Sequence, residues 1–189
     1  MTVFRWTVVL AGLSALALGC APGTTPPAGA RENTVDLVAG RGARTMTIER
    51  DDPTRAGRLS VPPDQAWDAL VRTYEMLEIP VDTYVAGERR IGSSAWRTRR
   101  IAGRSMSHWV DCGQGLSGVY ANTHRVTLVI GSVVEPEADG SLVYTRLEGT
   151  ARSVDGASAH DLRCTTTGEL ELLITRTVGQ LAQMEAGTP

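Results

Sequence analysis

The chain has 189 residues, 42% of them apolar and 21% charged, with a formal net charge of −2. Those figures exclude a disordered tail, a collagen-like fibre and a polytopic membrane protein, and they fit one globular domain with appendages. Every one of the 19 basic residues is arginine, and Phe4 is the sole phenylalanine. A core built without the N-terminus therefore rests on aliphatics, Trp and Tyr.

Residues Met1 to Leu18 carry one charge, Arg5, followed by an apolar run from Trp6 to Leu18. About a dozen apolar residues fall short of the ~20 that span a bilayer and match the apolar segment of a secretory signal. The run ends in Leu16-Ala17-Leu18-Gly19-Cys20, which resembles the lipobox of bacterial lipoproteins. That resemblance implies removal of residues 1–19 and acylation of Cys20, with palmitate a natural label. With Ala21 rather than Asp after the Cys, it also implies an outer-membrane lipoprotein facing the periplasm. Ala21 to Ala30 (APGTTPPAGA) has no charge and little apolar bulk, so it reads as a tether. The expected organisation is a signal peptide over 1–19, lipidated Cys and flexible tether over 20–43, one domain over 44–186, and a tail over 187–189.

Within the domain, Val35 to Val38 suits a short strand, and Thr45 to Glu49 alternates as a strand does. Asp51-Asp52-Pro53 breaks the pattern before an extended segment over Arg58 to Val61. Pro62-Pro63-Asp64 opens a helix whose face carries Ala66, Trp67, Leu70, Val71, Tyr74 and Leu77, and Pro80 should end it. Val81 to Val85 and Ile91 to Trp96 flank Ala86-Gly87-Glu88 as a hairpin would.

Ser105 to Cys112 reads as a strand with Met106, His108, Val110 and Cys112 on one face and Trp109 on the other. His124 to Val134 and Leu142 to Val154 surround a turn over Glu135 to Gly140. A last helix starts near Thr166, where Thr166-x-x-Glu169 has capping-box spacing, and Leu170, Leu173, Ile174, Val178 and Leu181 form its stripe. The fold class expected from this order is α+β: an antiparallel sheet with two amphipathic helices on one face.

The run from Pro62 to Leu70, then Ile79-Pro80-Val81-Asp82 and a turn before Ile91-Gly92, resembles the start of the helix-grip domains of BamC-like envelope lipoproteins. The likeness spans about 35 residues, and its motifs are packing motifs, so it implies a fold rather than an activity. The Cys-x-x-x-Gly-x-Leu-Glu run from Cys164 to Glu171 is similar to that of single-domain bacterial lipoproteins.

With Cys20 acylated, Cys112 and Cys164 remain, an even number in an oxidising compartment, which favours a disulfide. The alternative is a catalytic thiol. Asp111-Cys112-Gly113 resembles the signature of NlpC/P60-type cell-wall hydrolases, in which the Cys opens a helix and a downstream His is the base. Here Gly113, Gly115 and Gly118 argue for a loop after Cys112, and His124 and His160 lack that family's context. His108 and Cys112 stand four apart, but no CxxC, HxxxH or HExxH spacing occurs, so neither a metal nor a cofactor is expected.

Charge is unevenly spread. Arg89, Arg90, Arg97, Arg99, Arg100 and Arg104 fall in 16 residues without an acid, while the rest of the chain after Cys20 holds 12 Arg against 21 acids. Arginine forks bind phosphate and carboxylate groups bidentately. Arg97, Arg99, Arg100 and Arg104 are therefore the candidate surface for an anionic envelope component or an acidic protein partner, with Trp96 and Trp109 as flat contacts. The alternative is a solvated face with no ligand, which would make the protein a spacer. Export and overall acidity speak against nucleic acid. The expectation is a non-enzymatic, lipid-anchored binding protein, with a Cys112 hydrolase as the competing reading.

Overall fold

The structure, a computed structural model, describes residues 34–38, 45–49, 56–154 and 160–186. The expected signal segment, Cys20, the Ala21–Ala30 tether, the Asp51-Asp52-Pro53 break and the 187–189 tail lie outside those residues. The first strands are β1 (Thr34–Val38), β2 (Thr45–Glu49) and β3 (Ala56–Leu59), followed by helix α1 (Pro63–Met76). Then come β4 (Thr83–Val85), β5 (Arg90–Trp96), β6 (Arg100–Ile101), β7 (Arg104–Ser105), β8 (Val110–Asp111), β9 (Gln114–Gly115) and β10 (Gly118–Val119). A one-turn helix α2 (Tyr120–Thr123) leads into the long strands β11 (Arg125–Glu137) and β12 (Gly140–Arg152). The chain finishes with β13 (Leu162–Thr166) and α3 (Glu169–Ala186). The protein is α+β, an antiparallel sheet with helices packed on it.

At the centre, β11 and β12 pair from Arg125 opposite Arg152 to Glu137 opposite Gly140. β5 and then β4 extend the sheet beyond β11. Along the other edge of β12, β3 takes Ser141 to Tyr144 and β13 takes Gly149 to Ala151, with β8 beside β13. β1 pairs with β2, so ordered structure precedes Arg44. The central reversal is tighter than a Glu135–Gly140 turn, because only Ala138 and Asp139 stand outside the ladder. Pro136 is tolerated in the strand because pairing to β5 stops at Val133, and nothing there needs its missing N–H. Gly140 is required by contact, since a Cβ there would run into the backbone carbonyl of Leu59.

Alternation along the hairpin separates two faces. Val126, Leu128, Ile130, Val134, Val143, Leu147 and Ala151 share one buried cluster with Trp67, Leu70 and Tyr74 of α1 and Leu170, Ile174 and Val178 of α3. Both long helices therefore cover the same face. Full burial of each large aliphatic side chain there is worth about 1.5–3 kcal/mol. The opposite face carries a smaller cluster of Val129, Val133 and Tyr144, closed by Met46 of β2. Inside the main core a polar chain runs from the Tyr74 hydroxyl to Ser132 Oγ (2.9 Å) and on to Thr145 Oγ1 (2.8 Å).

α1 starts with Pro63 in its first turn, where the fixed φ fits and no N–H is lost, and with Asp64 at the positive end of the helix. It stops at Met76, four residues ahead of Pro80. Glu78 adopts φ 54°, and the N–H groups of Glu78 and Ile79 donate to the carbonyls of Glu75 and Tyr74. That is a Schellman cap built on Glu rather than Gly, with Ile79 buried behind it.

Three expectations from the sequence need correction. Ser105 to Cys112 is not a continuous strand. Met106–His108 is a 3-10 turn, and Met106, Trp109 and Val110 are buried together. Their i, i+3, i+4 spacing is that of a helical turn, which overrode the apparent alternation. Thr166 is the last residue of β13 and not part of the helix. Its hydroxyl donates to the Glu171 carboxylate (2.7 Å) and accepts from the Gly168 N–H (3.0 Å), so Glu169 is not its capping partner. Gly168, at φ 85°, turns the chain into α3. Finally, Trp96 and Trp109 are 4% and 3% exposed, so neither offers a contact surface.

Candidate functional site

The fate of Trp96 explains how the site is built. Ser93 pairs with Ile130 and Trp96 with Leu128, so Ser94 and Ala95 together oppose the single residue Val129. This β-bulge shifts the strand's parity and keeps Trp96 in the core. Asp82 holds the bulge in place, accepting the Ser94 N–H at 2.7 Å and also the Ser94 hydroxyl. Directly after it the chain leaves the sheet at Arg97, whose Nε donates to Thr127 Oγ1 of β11 at 3.2 Å.

Thr98 Oγ1 then donates to the Arg100 carbonyl, and β6 and β7 form a tight hairpin through Ala102 (φ 47°) and Gly103 (φ 76°). Two positive φ values in a two-residue loop match the twist of a short hairpin. Ile101, 2% exposed, anchors this hairpin to the core. Arg100 Nη1 donates to the Gly103 carbonyl at 2.9 Å. Opposite, Asn122 Oδ1 of α2 accepts the Ser107 N–H and its Nδ2 donates to Ser107 Oγ, tying α2 to the Met106–His108 turn.

Between these pieces lies a cleft of about 570 Å³. Arg97, Arg99, Arg100, His124 and Arg125 supply its basic groups, and among the described residues no Asp or Glu lines it. Among the described residues Arg97, Arg99 and Arg125 have no carboxylate partner. A second recess of about 270 Å³ adjoins on the outer face of the sheet, and Arg97 and Arg125 border it too.

The arginine cluster seen in the sequence is thus divided. Arg97, Arg99 and Arg100 come together at the cleft. Arg104 is exposed on β7 and does not line it. Arg89 is tied to Asp64 of α1 (2.8 Å) and Arg90 to Glu88 (2.8 Å), so these two serve local ion pairs. Sequence reasoning missed Arg125, and considered His124 only as a possible base for Cys112. They lie more than 20 residues downstream, and only the pairing of β11 with β5 brings them to Arg97. The adjacent basic pair His124-Arg125 at the head of a strand was the available signal.

The sulfurs of Cys112 and Cys164 stand at disulfide distance, 2.02 Å. Cys112 is 7% exposed and follows β8, and Gly113 (φ 83°) leads into β9 rather than a helix. Gly149 makes room beneath the pair, since a Cβ there would lie 3.0 Å from Cys164 Cβ. His160 is exposed, and among the described residues no three His, Cys, Asp or Glu side chains converge as metal ligands would. Compared with known protein families and with curated proteins, the sequence finds no match.

Proposed function

We propose that this protein is a non-enzymatic, lipid-anchored bacterial envelope protein that binds an anionic envelope component through the cleft around Arg97, Arg99, Arg100 and Arg125. One observation supports the reading: four guanidinium groups from two separate chain segments border a concave surface that, among the described residues, is lined by no acid. Surface arginines on a solvated face usually find acids, as Arg89 and Arg152 do here. These four do not. A hydrolase would need Cys112 as a free thiolate at a helix start, and its place beside Cys164 and ahead of β9 counts against that use.

Reversing Arg97, Arg99 and Arg100 to Glu tests the proposal. Retention of the protein's domain on envelope fractions should fall several-fold at low salt, and the difference should shrink as salt screens it. Unchanged retention would favour a spacer without a ligand.

A further inference from the structure

Resting on the reading above, we infer that the β9–β10 hairpin and the arginines beside it dock together on an anionic bilayer, with Leu116 entering the hydrocarbon and the arginines meeting the headgroups. β9 and β10 pair Gln114 with Val119 and Gly115 with Gly118, which leaves Leu116 and Ser117 as the tip. Turns favour Gly, Pro, Asn, Asp and Ser, each for a reason that Leu does not share. Leu116 packs on nothing, since it is fully exposed, and Val119 behind it is 37% exposed. From Cys112 to Thr123 no residue carries a charge, and Gly113 to Val119 are all exposed. A solvated loop in a chain that is 21% charged has no need to avoid charge over that length, whereas a segment entering hydrocarbon does.

The hairpin is braced so that its tip stays out. Across its foot the Tyr120 N–H donates to the Gly113 carbonyl at 2.9 Å, and the Gly113 N–H donates to Asp111 Oδ1 at 2.8 Å. Gly115 lies so close to the Tyr120 ring that a Cβ there would collide with it. The Cys112–Cys164 pair ties the foot to β13. Tyr120 is also the link to the cleft. Its ring centroid lies 4.5 Å from that of His124, and Ala121 to Thr123, which follow it, share the cleft's lining with Arg99 and Arg100. One side chain therefore separates the uncharged hairpin from the basic groups.

The chemistry selects a bilayer over a protein partner. A stable protein interface takes about 800 Å² from each side with a packed apolar centre, and one leucine between Gly115 and Gly118 does not supply it. A bilayer asks for no matching pocket. It needs a small apolar insertion and cations at headgroup level, each reinforcing the other. Arg99, Arg100 and Arg104 are exposed and meet the second requirement. Asp111, the acid that precedes the hairpin, is engaged at its foot rather than carried at its tip.

The test is tryptophan fluorescence of the full chain reconstituted in vesicles with brominated acyl chains, which quench only indoles that reach the hydrocarbon. Leu116→Trp is the reporter, and the unaltered chain, with its own four Trp, is the blank. The added fluorescence should be quenched at least about twofold more on phosphatidylglycerol than on phosphatidylcholine vesicles. Asp68→Trp, at an exposed position of α1, should be quenched on neither. In the unaltered chain, amide exchange over residues 113–119 should slow several-fold on the anionic vesicles alone, and Leu116→Asp should remove that slowing.

Quenching that is absent on both membranes, or equal on both, would overturn the inference. So would exchange that slows on native envelope membranes but on neither vesicle, which would assign the hairpin to a protein partner. The cleft is judged separately, by retention of R97E/R99E/R100E on envelope fractions. Where the hairpin fails, lost retention in that variant leaves the anion-binding cleft in place, and unchanged retention removes both readings.

Discussion

Tyr74 of α1 is fully buried against the sheet, its hydroxyl bonded to Ser132 and through it to Thr145. Burial pushes its phenol far above the ordinary value of about 10, and the Ser132 hydrogen bond offsets this only in part. The consequence for stability has a definite sign. Below about pH 10 the phenol is neutral folded or unfolded and adds no pH dependence. Above it only the unfolded chain ionises, so stability falls as pH rises, by up to about 1.4 kcal/mol per pH unit from this group. Tyr74→Phe should cost about 1 kcal/mol at neutral pH and remove that share of the alkaline decline, as urea unfolding from about pH 8 to 11 would report. The helical spacing of Tyr74 was plain in the sequence. Its partners were not, because Ser and Thr inside apolar strands read as solvent-facing, although their parity with Ile130 and Leu147 already put them on the core face.

The same limit operates on whole elements. The long helices were legible because each repeats an apolar face over three or more turns. Their ends were not. α1 ends at a left-handed Glu78, a conformation that costs a non-glycine residue roughly 1–2 kcal/mol and leaves no mark in composition. Glu78→Gly should therefore stabilise the protein by about 0.5–1 kcal/mol, seen as a raised denaturant midpoint with an unchanged slope. Between Trp96 and Arg125 the strands are two residues long, too short for any period to show. The bulge at Ser94-Ala95 reverses the alternation on which reading a strand depends. Strict alternation from Ile91 would turn Trp96 outward, and the cleft, made of these short pieces, shows in the sequence only as a cluster of charge.

Across the molecule, the Cys112–Cys164 pair ties β8 to β13 over a separation of 52 residues, just ahead of α3. The chain-entropy estimate for such a loop is about 4 kcal/mol, and measured values often run lower. Replacing both cysteines by Ser should lower stability by about 2–4 kcal/mol in thermal or denaturant unfolding. Thiol titration of the unreduced, denatured protein should find neither Cys112 nor Cys164 free. A catalytic Cys112 would require the opposite result.

By itself the sequence determined the fold class, the two helix faces and the segregation of arginine from acid. Those properties live in local periodicity and composition, which a chain carries before it folds. Only the tertiary structure decided which arginines border the cleft. The pairing of β11 with β5 set Arg125 beside Arg97, the ion pairs with Asp64 and Glu88 withdrew Arg89 and Arg90, and the β6–β7 hairpin left Arg104 outside. A concave site is a relation between segments distant in sequence, and strand register, which no local pattern encodes, is what brings them together.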